Sequence, residues 1–306
     1  MSPAPLARYA VFGEALTDMI RGTDGRWLDR PGGSCWNVAR VGARLGIATG
    51  CATAVSQDYF GDAIVRASRD DGLDLRYLQS HARSPLLAMV TSTQPPEYQF
   101  VGDDSADLHF DPARLPSGWL DAAEVLHFGG ISLARPRLAA TLLPIADAAF
   151  EAGKAIAFDP NWRRPMADPA YRPVFEHLLR RAAFLKFSDD DLQALYPGLD
   201  ESAAVAVIRA QAPTAALMIT RGVRGMTVFD GAAMVEQPAF TVPVVDTVGC
   251  GDAAMGCWIA TRLAAPDASL AQQAARAAAA AAVVAGHAGA YAPTPADIDR
   301  LIAGRG

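Results

Sequence analysis

Short apolar runs alternate with amphipathic stretches along most of this 306-residue chain, and this alternation limits the folds that it can adopt. The apolar runs predict strands at residues 9–12, 49–55, 125–128, 156–158, 184–187 and 217–220. The amphipathic stretches predict helices at residues 36–45, 61–70, 137–152, 171–182 and 203–210, and an alanine-rich run predicts one at residues 270–285. Strands that alternate with helices form a parallel sheet covered by helices on both faces. The sequence therefore predicts an α/β fold.

Two stretches break this rhythm. Residues 16–30 and 85–110 have the pattern strand, turn, strand, with period-2 patterning at residues 98–101. Both lie where a helix is due, so we expect a small β-sheet inserted beside the main sheet as a lid over a cleft. No linker rich in Pro, Gly or Ser separates two halves. The prediction is a single domain over residues 1–306 with these two lid segments inserted.

The charge balance and the cysteines limit the partners. The formal net charge is −6, so no overall positive field exists to hold nucleic acid or an anionic membrane. The four cysteines and five histidines form no metal-ligand pattern, and reduced thiols in the cytosol are the default interpretation. The longest apolar run, residues 277–286, is too short to span a bilayer. We expect a cytoplasmic protein that binds small molecules or other protein chains.

The segment 246–252 has the composition of an anion-binding turn. Gly249 and Gly251 precede a helical run, and a glycine-rich turn at a helix N-terminus presents free backbone N–H groups. Asp252 in the same turn would repel a bound phosphate, but it suits a general base that deprotonates an attacking hydroxyl. The alternative is that Asp252 caps the helix.

The chain has only two asparagines and two lysines, so the position of each is informative. Asn37 follows Gly32 and Gly33 at the start of a helix, where it offers a donor and acceptors to a ligand. A plain junction between loop and helix explains the glycines equally well. Asn161 follows a predicted strand and precedes Arg163, which suits a phosphate or a carboxylate. An Asp-Pro turn with solvated arginines is the alternative.

Acidic residues follow two other predicted strands. Glu14 and Asp18 come after the first strand, where carboxylates accept hydrogen bonds from sugar hydroxyls, although Asp18 also suits a turn. The acidic run 189–191 follows Lys186 and precedes a helix. Acidic side chains there interact favourably with the helix dipole, and alternatively they could hold a magnesium hydration shell. Fingerprints of P-loop nucleotidases, ordinary dinucleotide-binding folds and zincins are missing from the sequence.

Together these motifs resemble the ribokinase-like (PfkB) carbohydrate kinase family over nearly the whole chain. The resemblance rests on Gly32-Gly33 with Asn37 and Gly46, and on the segment 246–252. It implies a three-layer α/β fold with a mainly parallel central sheet, helices on both faces and a small β-sheet lid. It also implies that Asp252 is the catalytic base and that the amides of Gly249, Cys250 and Gly251 form an anion hole.

The resemblance implies further ligand contacts. The residues expected at the sugar are Asp18, Gly32, Gly33, Asn37 and Asn161, and those expected at the nucleotide are Ser188, Thr220, Gly222 and Gly225. By the same resemblance, Asp191 would bind a metal ion through a water molecule. The implied cofactors are ATP and Mg²⁺, with a monovalent cation such as K⁺ as an option, and the implied assembly is a homodimer through the lid.

Within the family, segments 13–18, 105–107 and 159–163 look most like bacterial fructokinases. We therefore expect in-line transfer of the γ-phosphoryl group of ATP to a hydroxyl of fructose, with Arg163 offsetting phosphoryl charge. Leu108 replaces an arginine that fructokinases frequently have, and the alanine-rich helix lacks an asparagine that many members place near adenine. The alternatives are a 2-keto-3-deoxygluconate kinase, with Arg163 or Arg164 on the carboxylate, and a non-catalytic sugar-binding regulator on a kinase scaffold.

Overall fold

A computed structural model of the chain describes residues 4–22, 24–93 and 96–304. The strands are β1 Tyr9–Phe12, β2 Leu16–Arg21, β3 Trp27–Gly32, β4 Thr49–Ser56, β5 Leu78–His81, β6 Leu87–Thr93, β7 Pro96–Val101, β8 Val125–Gly129, β9 Ala155–Asp159, β10 Phe184–Ser188, β11 Ala216–Thr220, β12 Met226–Asp230 and β13 Ala233–Gln237. The helices are α1 Ser34–Arg44, α2 Tyr59–Asp70, α3 Trp119–Ala122, α4 Pro136–Glu151, α5 Tyr171–Leu179, α6 Asp189–Leu195, α7 Glu201–Gln211, α8 Cys250–Ala264, α9 Leu270–Ala285 and α10 Pro295–Ala303.

The large sheet has the strand order β13-β12-β11-β10-β9-β8-β1-β4-β5. Every neighbouring pair from β5 to β11 is parallel, whereas β12 and β13 are antiparallel. The mainly parallel sheet predicted from the alternating pattern is thus confirmed. The edge strands β5 and β13 escaped prediction because edge strands lack the continuous apolar character of strands buried on both faces, and the antiparallel strand β12 beside β13 was missed as well.

Helices cover both faces of the large sheet. Tyr9 and Val11 of β1 pack in one core with residues of α1, α8 and α9, whereas Ala10 and Phe12 pack in a second core with residues of α4, α5 and α7. Alternate side chains of a strand point to opposite faces, so β1 contributes to both cores. This arrangement confirms the three-layer fold. It also explains why the central strands are apolar throughout.

A second sheet has the strand order β3-β2-β6-β7 and is called the small sheet below. It corresponds to the two segments predicted as a lid, but its strands end at Val101, and residues 106–109 form a short 3-10 helix instead. The turns predicted at residues 23–25 and 95–96 include residues 23 and 95, which lie outside the described residues. Because β2 follows β1 closely and β3 ends just before α1, the small sheet is joined to the region where β1 and α1 meet.

The alanine-rich helix α9 occupies residues 270–285, as the sequence predicts. Ser269 and Gln272 form a capping box at its N-terminus, and Ala274, Ala277 and Ala279 are fully buried. Small side chains allow this helix to lie close to α8, which it contacts extensively. All four cysteines are free thiols. Among the described residues, every helix is too short or too polar to cross a bilayer.

Candidate active site

The candidate site lies where the carboxyl ends of the central parallel strands meet the N-termini of α1 and α8. In an open parallel sheet this edge forms the ligand crevice. Asp252, in the first turn of α8, is only 7% exposed. Its Oδ1 accepts a hydrogen bond from Ser34 Oγ at 2.7 Å, and its Oδ2 accepts one from Asn37 Nδ2 at 2.9 Å. Two donors from α1 thus fix the orientation of a nearly buried carboxylate.

Asn37 is in direct contact with Asp252, so the structure brings together two residues that the sequence placed in separate motifs. Its Nδ2 is used by the carboxylate, but its buried Oδ1 accepts no hydrogen bond from any described residue. A buried polar atom without a partner is costly, and a bound hydroxyl group would satisfy it. Ser34 was not predicted as a site residue, and the only signal for it was its place between Gly33 and Asn37.

The turn before α8 has the backbone geometry of an anion cradle. Gly249 is the N-cap residue with φ +82°, and a Cβ there would lie 2.8 Å from Cβ of Ala290. Asp246 holds the segment in place, because its Oδ1 accepts from the Val248 amide at 3.1 Å and its Oδ2 accepts from the Gly289 amide at 2.9 Å. Only glycine suits a position that combines a positive φ with such a close approach.

The amides of this turn are largely free. Among the described residues, the amides of Gly249 and Gly251 have no acceptor, and the Cys250 amide donates to Thr247 O at 3.3 Å. Helix N-termini leave such donors for anions. Burial raises the pKa of the Cys250 thiol to about 12, so the side chain is uncharged at neutral pH. Its backbone is therefore the part of Cys250 that suits an anion.

Asp18 lies on β2 of the small sheet, at the side of the cleft. A Cβ on Gly32 would lie 2.1 Å from Asp18 Oδ2, so the missing side chain makes room for this carboxylate. Gly33 has φ +108°, and a Cβ there would meet Glu14 O at 2.6 Å. Burial raises the pKa of Asp18 to about 7, against the lowering effect of Arg163 and with smaller raising effects of Asp252 and Glu14.

Glu14 has a different role from Asp18, although both follow β1. Its Oε1 accepts from the Ser34 amide at 3.1 Å, and its Oε2 accepts from Ser132 Oγ at 2.5 Å. Burial raises the pKa of this carboxyl group, while the bonds from Ser132 lower it. Glu14 therefore ties the start of α1 to the turn after β8 and positions Ser34 for its contact with Asp252.

Asn161 and Arg163 form a compact loop after β9. Asn161 has φ +45°, and its Oδ1 accepts from Arg163 Nη1 at 2.9 Å. The guanidinium carbon of Arg163 lies 5.1 Å from the centre of the Tyr98 ring, which belongs to β7 of the small sheet. Arg163 is half-buried, whereas Arg164 is exposed. Arg163 thus lies between the loop and the small sheet, within electrostatic range of Asp18.

Ser188 and Asp191 form a capping box at the N-terminus of α6. Asp191 Oδ2 accepts from the Ser188 amide, and its Oδ1 accepts from the Trp162 amide, both at 2.7 Å. The carboxylate therefore joins α6 to the loop after β9. No cluster of three His, Cys, Asp or Glu residues suited to a metal is present in the described part of the chain. A role of Asp191 at a metal stays a prediction.

The predicted nucleotide loop follows β11 beside α6. Thr220 is paired with Ser188 in the parallel register of β10 and β11, and Thr220 Oγ1 lies 3.5 Å from Phe187 O. Gly222 and Gly225 have φ of +53° and +85°, and a Cβ on Gly225 would lie 2.2 Å from Gln237 O. The structure therefore places this loop at the same edge of the sheet as Ser188.

Asp107, in the segment that looked like fructokinases, is held away from solvent by the body of the protein. Its Oδ1 accepts from Ser105 Oγ and its Oδ2 accepts from Arg135 Nη1, each at 2.5 Å. Arg135 also donates to the carbonyl oxygen of Gly102. Burial raises the pKa of Asp107, and Arg135 lowers it. This cluster anchors the chain where it leaves the small sheet.

Known proteins resemble the chain in sequence and in structure. The sequence profile described as pfkB family carbohydrate kinase matches residues 7–297. A fructokinase of Klebsiella pneumoniae is 30% identical over 277 residues, covering 86% of this chain and 90% of that protein. The crystal structure of a fructokinase with bound ATP from Xylella fastidiosa has a TM-score of 0.88 at 25% identity, covering 98% of this chain and 99% of that one. A putative ribokinase II from E. coli in complex with ATP and Mg²⁺ has a TM-score of 0.87 at 22% identity, covering 97% and 99%.

Proposed function

Since the chain belongs to the pfkB family of carbohydrate kinases and transfers a phosphoryl group to a sugar hydroxyl, we propose that it is a fructokinase that uses ATP and Mg²⁺. The observation that carries the mechanism is the buried Asp252 carboxylate, fixed by Ser34 and Asn37 beside the turn 249–251. The preference for fructose is supported by the Klebsiella pneumoniae and Xylella fastidiosa fructokinases that the chain resembles.

Asp252 is the general base in this mechanism. Its carboxylate takes the proton of the attacking sugar hydroxyl as the bond between that oxygen and the γ-phosphorus forms and the bond to the ADP oxygen breaks. The donors on Ser34 and Asn37 hold Asp252 in one orientation throughout. Asn37 Oδ1, which lacks a donor among the described residues, accepts from a second sugar hydroxyl.

The amides of Gly249, Cys250 and Gly251 bind the phosphoryl oxygens that carry the developing charge. Asp18, next to Gly32 and Gly33, accepts hydrogen bonds from the sugar, and Asn161 completes that side of the cleft. Ser188, Thr220, Gly222 and Gly225 border the nucleotide. The small sheet closes over the sugar, so that the sugar hydroxyl and not water receives the phosphoryl group.

The residues present fit Mg²⁺ that is held mainly by phosphate oxygens and water. Mg²⁺ commonly keeps several waters and takes only one or two carboxylates in kinase sites. Asp191, whose oxygens both accept from backbone amides, is the carboxylate that we propose holds such water from the side of α6. When bound, the metal offsets phosphate charge. A dependence on K⁺ is a further proposal, which the same assay tests when the cation is omitted.

The activity is tested by ADP release from the purified protein with fructose, 2-keto-3-deoxygluconate, ribose and nucleosides as acceptors. We expect the highest kcat/KM with fructose. A higher value with 2-keto-3-deoxygluconate would overturn the fructose assignment. Sugar binding without ADP release under any nucleotide would instead favour a non-catalytic regulator. Asp252→Asn is the control for contaminating kinases, because it keeps the shape of the site.

A 2-keto-3-deoxygluconate kinase is the second candidate, and the position of Arg163 favours it. Its guanidinium lies against Tyr98 at the edge of the cleft, where a substrate carboxylate would find a cation. Arg163→Gln separates the two candidates. For a carboxylate substrate it should raise KM strongly, whereas for fructose the KM should change little. Arg164→Gln is the matched control, since Arg164 is exposed.

We also propose a homodimer through the small sheet, in the cytoplasm. Trp27 and Leu28 on its edge strand β3 are 41% and 54% exposed, an unusual position for large apolar side chains next to a candidate site. The four free cysteines support a reducing compartment. Sedimentation velocity should give a dimer for the wild type and a monomer for Leu28→Lys. A monomeric wild type would overturn the assembly.

A further inference from the structure

Lys186 on β10 is a buried cation beneath the candidate active site. Its side chain is 3% exposed, and its Nζ lies 2.8 Å from Oδ2 of Asp159, which is fully buried. Asp191 and Asp252 are also buried at this edge of the sheet. In the described part of the chain, Lys186 is the only lysine or arginine among the buried residues. It is therefore the one buried positive charge near a group of buried carboxylates.

The ammonium group of Lys186 lies against the first turn of α8. A Cβ on Gly251 would lie 3.2 Å from Lys186 Nζ and 3.4 Å from its Cε. Gly251 has no side chain, and the ammonium group lies in the space that a side chain would need. Gly251 also belongs to the turn whose amides face the proposed phosphoryl group. The cation thus lies next to the backbone of the anion cradle.

The carboxylates around Lys186 keep it charged. Burial lowers the pKa of Lys186, but Asp159, Asp191 and Asp252 raise it by more, so the pKa lies above its ordinary value. A phosphoryl group that approaches Asp252 meets like charge, and in a site of low dielectric this repulsion is large. A buried positive charge next to the cradle offsets it without any need for solvent to reorganise.

We infer that Lys186 is a positioning residue for phosphoryl transfer, which acts through the first turn of α8 to stabilise the transferred phosphoryl group at the amides of residues 249–251. Asp159 holds the ammonium group in place. This inference rests on the proposed kinase function. The competing explanation is that the Lys186–Asp159 pair only stabilises the fold, in which case its neutral replacement would leave the reaction unchanged.

A pair of variants separates these explanations. Lys186→Met removes the positive charge and leaves the buried Asp159 carboxylate without its counter-ion, which destabilises the fold by itself. The double variant Lys186→Met/Asp159→Asn removes both charges, so its melting temperature should return close to that of the wild type. In the wild type the backbone amide of Asn161 donates to Asp159 Oδ1 at 3.1 Å, and the side-chain oxygen of an asparagine at position 159 can accept the same bond. The double variant therefore tests the loss of the cation in a protein that still folds.

The matched control is Lys154→Met, the same substitution at the other lysine of the chain. Lys154 donates to Asp121 O on the surface and immediately precedes β9, at the end of that strand opposite to Asp159 and the site. We expect kcat for the sugar to fall by about tenfold or more in the double variant, with KM for the sugar and the melting temperature nearly unchanged. Lys154→Met should keep the wild-type kcat. A wild-type kcat in a folded double variant would overturn the inference.

A binding measurement supplies a readout that does not depend on turnover. ADP with Mg²⁺ and aluminium fluoride, in the presence of the sugar, mimics the phosphoryl group in transfer, and a residue that stabilises this charge contributes to its affinity. The double variant should bind this mimic at least about tenfold more weakly than the wild type, and ADP alone equally well. Equal affinity for the mimic would overturn the role of Lys186. If the wild type phosphorylates no sugar, the proposed function fails, but this comparison can still be made.

Discussion

Asn37 donates a hydrogen bond from Nδ2 to Oδ2 of Asp252 across 2.9 Å, and this contact joins the N-termini of α1 and α8. The two residues are 215 positions apart in the chain. Ser34 supplies a second donor to the same carboxylate from the same helix. The orientation of the proposed base therefore depends on the packing of α1 against α8 on one face of the large sheet.

Loss of either donor should lower the rate of phosphoryl transfer. A hydrogen bond to a charged group contributes about 1.5–3 kcal/mol, so we expect Asn37→Ala to lower kcat by about 10- to 100-fold. Ser34→Ala should have a similar but separate effect, because it bonds the other carboxylate oxygen. Steady-state kinetics with saturating ATP measures both. Unchanged kcat in both variants would show that the contacts do not matter for Asp252.

A methyl group at position 32 should impair sugar binding. In Gly32→Ala the new Cβ would lie 2.1 Å from Asp18 Oδ2, so the carboxylate must move from its place in the cleft. We expect KM for the sugar to rise by about tenfold with a smaller change in kcat, because this contact is made equally with the bound sugar and with the transition state. Gly304→Ala is the control, since its nearest neighbours would be 3.5 Å away. An unchanged KM would argue against Asp18 at the sugar.

The ionisation of Asp18 should make stability depend on pH. Its pKa is about 7 in the folded protein, against 3.8 for an ordinary aspartate, so the folded state retains a proton that the unfolded state has lost. The free energy of unfolding therefore falls as the pH rises from about 4 to about 7, and the ionised carboxylate destabilises the fold above that range. Asp18→Asn should raise the melting temperature more at pH 8 than at pH 5. Equal shifts at the two pH values would contradict a buried, ionised Asp18.

The cradle should depend on its backbone and not on the Cys250 side chain. Cys250→Ala keeps the amide, so we expect kcat to stay within about twofold of the wild type. Gly249→Ala places a side chain at φ +82° and within 2.8 Å of Ala290, which should distort the turn and lower kcat. Kinetics of the two variants, with melting temperatures as a check on folding, make the comparison. A loss of activity in Cys250→Ala alone would indicate a role for the thiol.

Local patterns predicted much of the fold, because strand and helix signals are contained in short stretches of sequence. The strands predicted at 9–12, 125–128 and 184–187 agree with β1, β8 and β10 to within one residue, and α9 agrees throughout. The helix predicted at 171–182 ends at Leu179 instead. The antiparallel strands β12 and β13 were missed; β13 at the edge of the sheet is largely exposed, and exposed strands carry weaker apolar signals.

The candidate site was predictable in its residues but not in its contacts. The glycine-rich turns before α1 and α8 indicated Asn37 and Asp252 separately, whereas the bond between them exists only after folding. Ser34 contacts Asp252 across 218 positions of the chain, and Glu14 contacts Ser132 across 118. The scarcity of lysine drew attention to Lys186, but its place next to Gly251 follows from the position of α8 on the sheet. Tertiary packing determines these relations, and short motifs do not encode it.

The most direct test of this account is the kcat of Asp252→Asn with fructose, measured beside the wild type by ADP release. General base catalysis contributes about 10²- to 10⁴-fold, so kcat should fall by that factor. The dissociation constant for fructose, measured by calorimetry, should stay close to the wild-type value, because the asparagine keeps the size of the side chain. Full activity in a folded Asp252→Asn protein would contradict the assignment of Asp252 as the base.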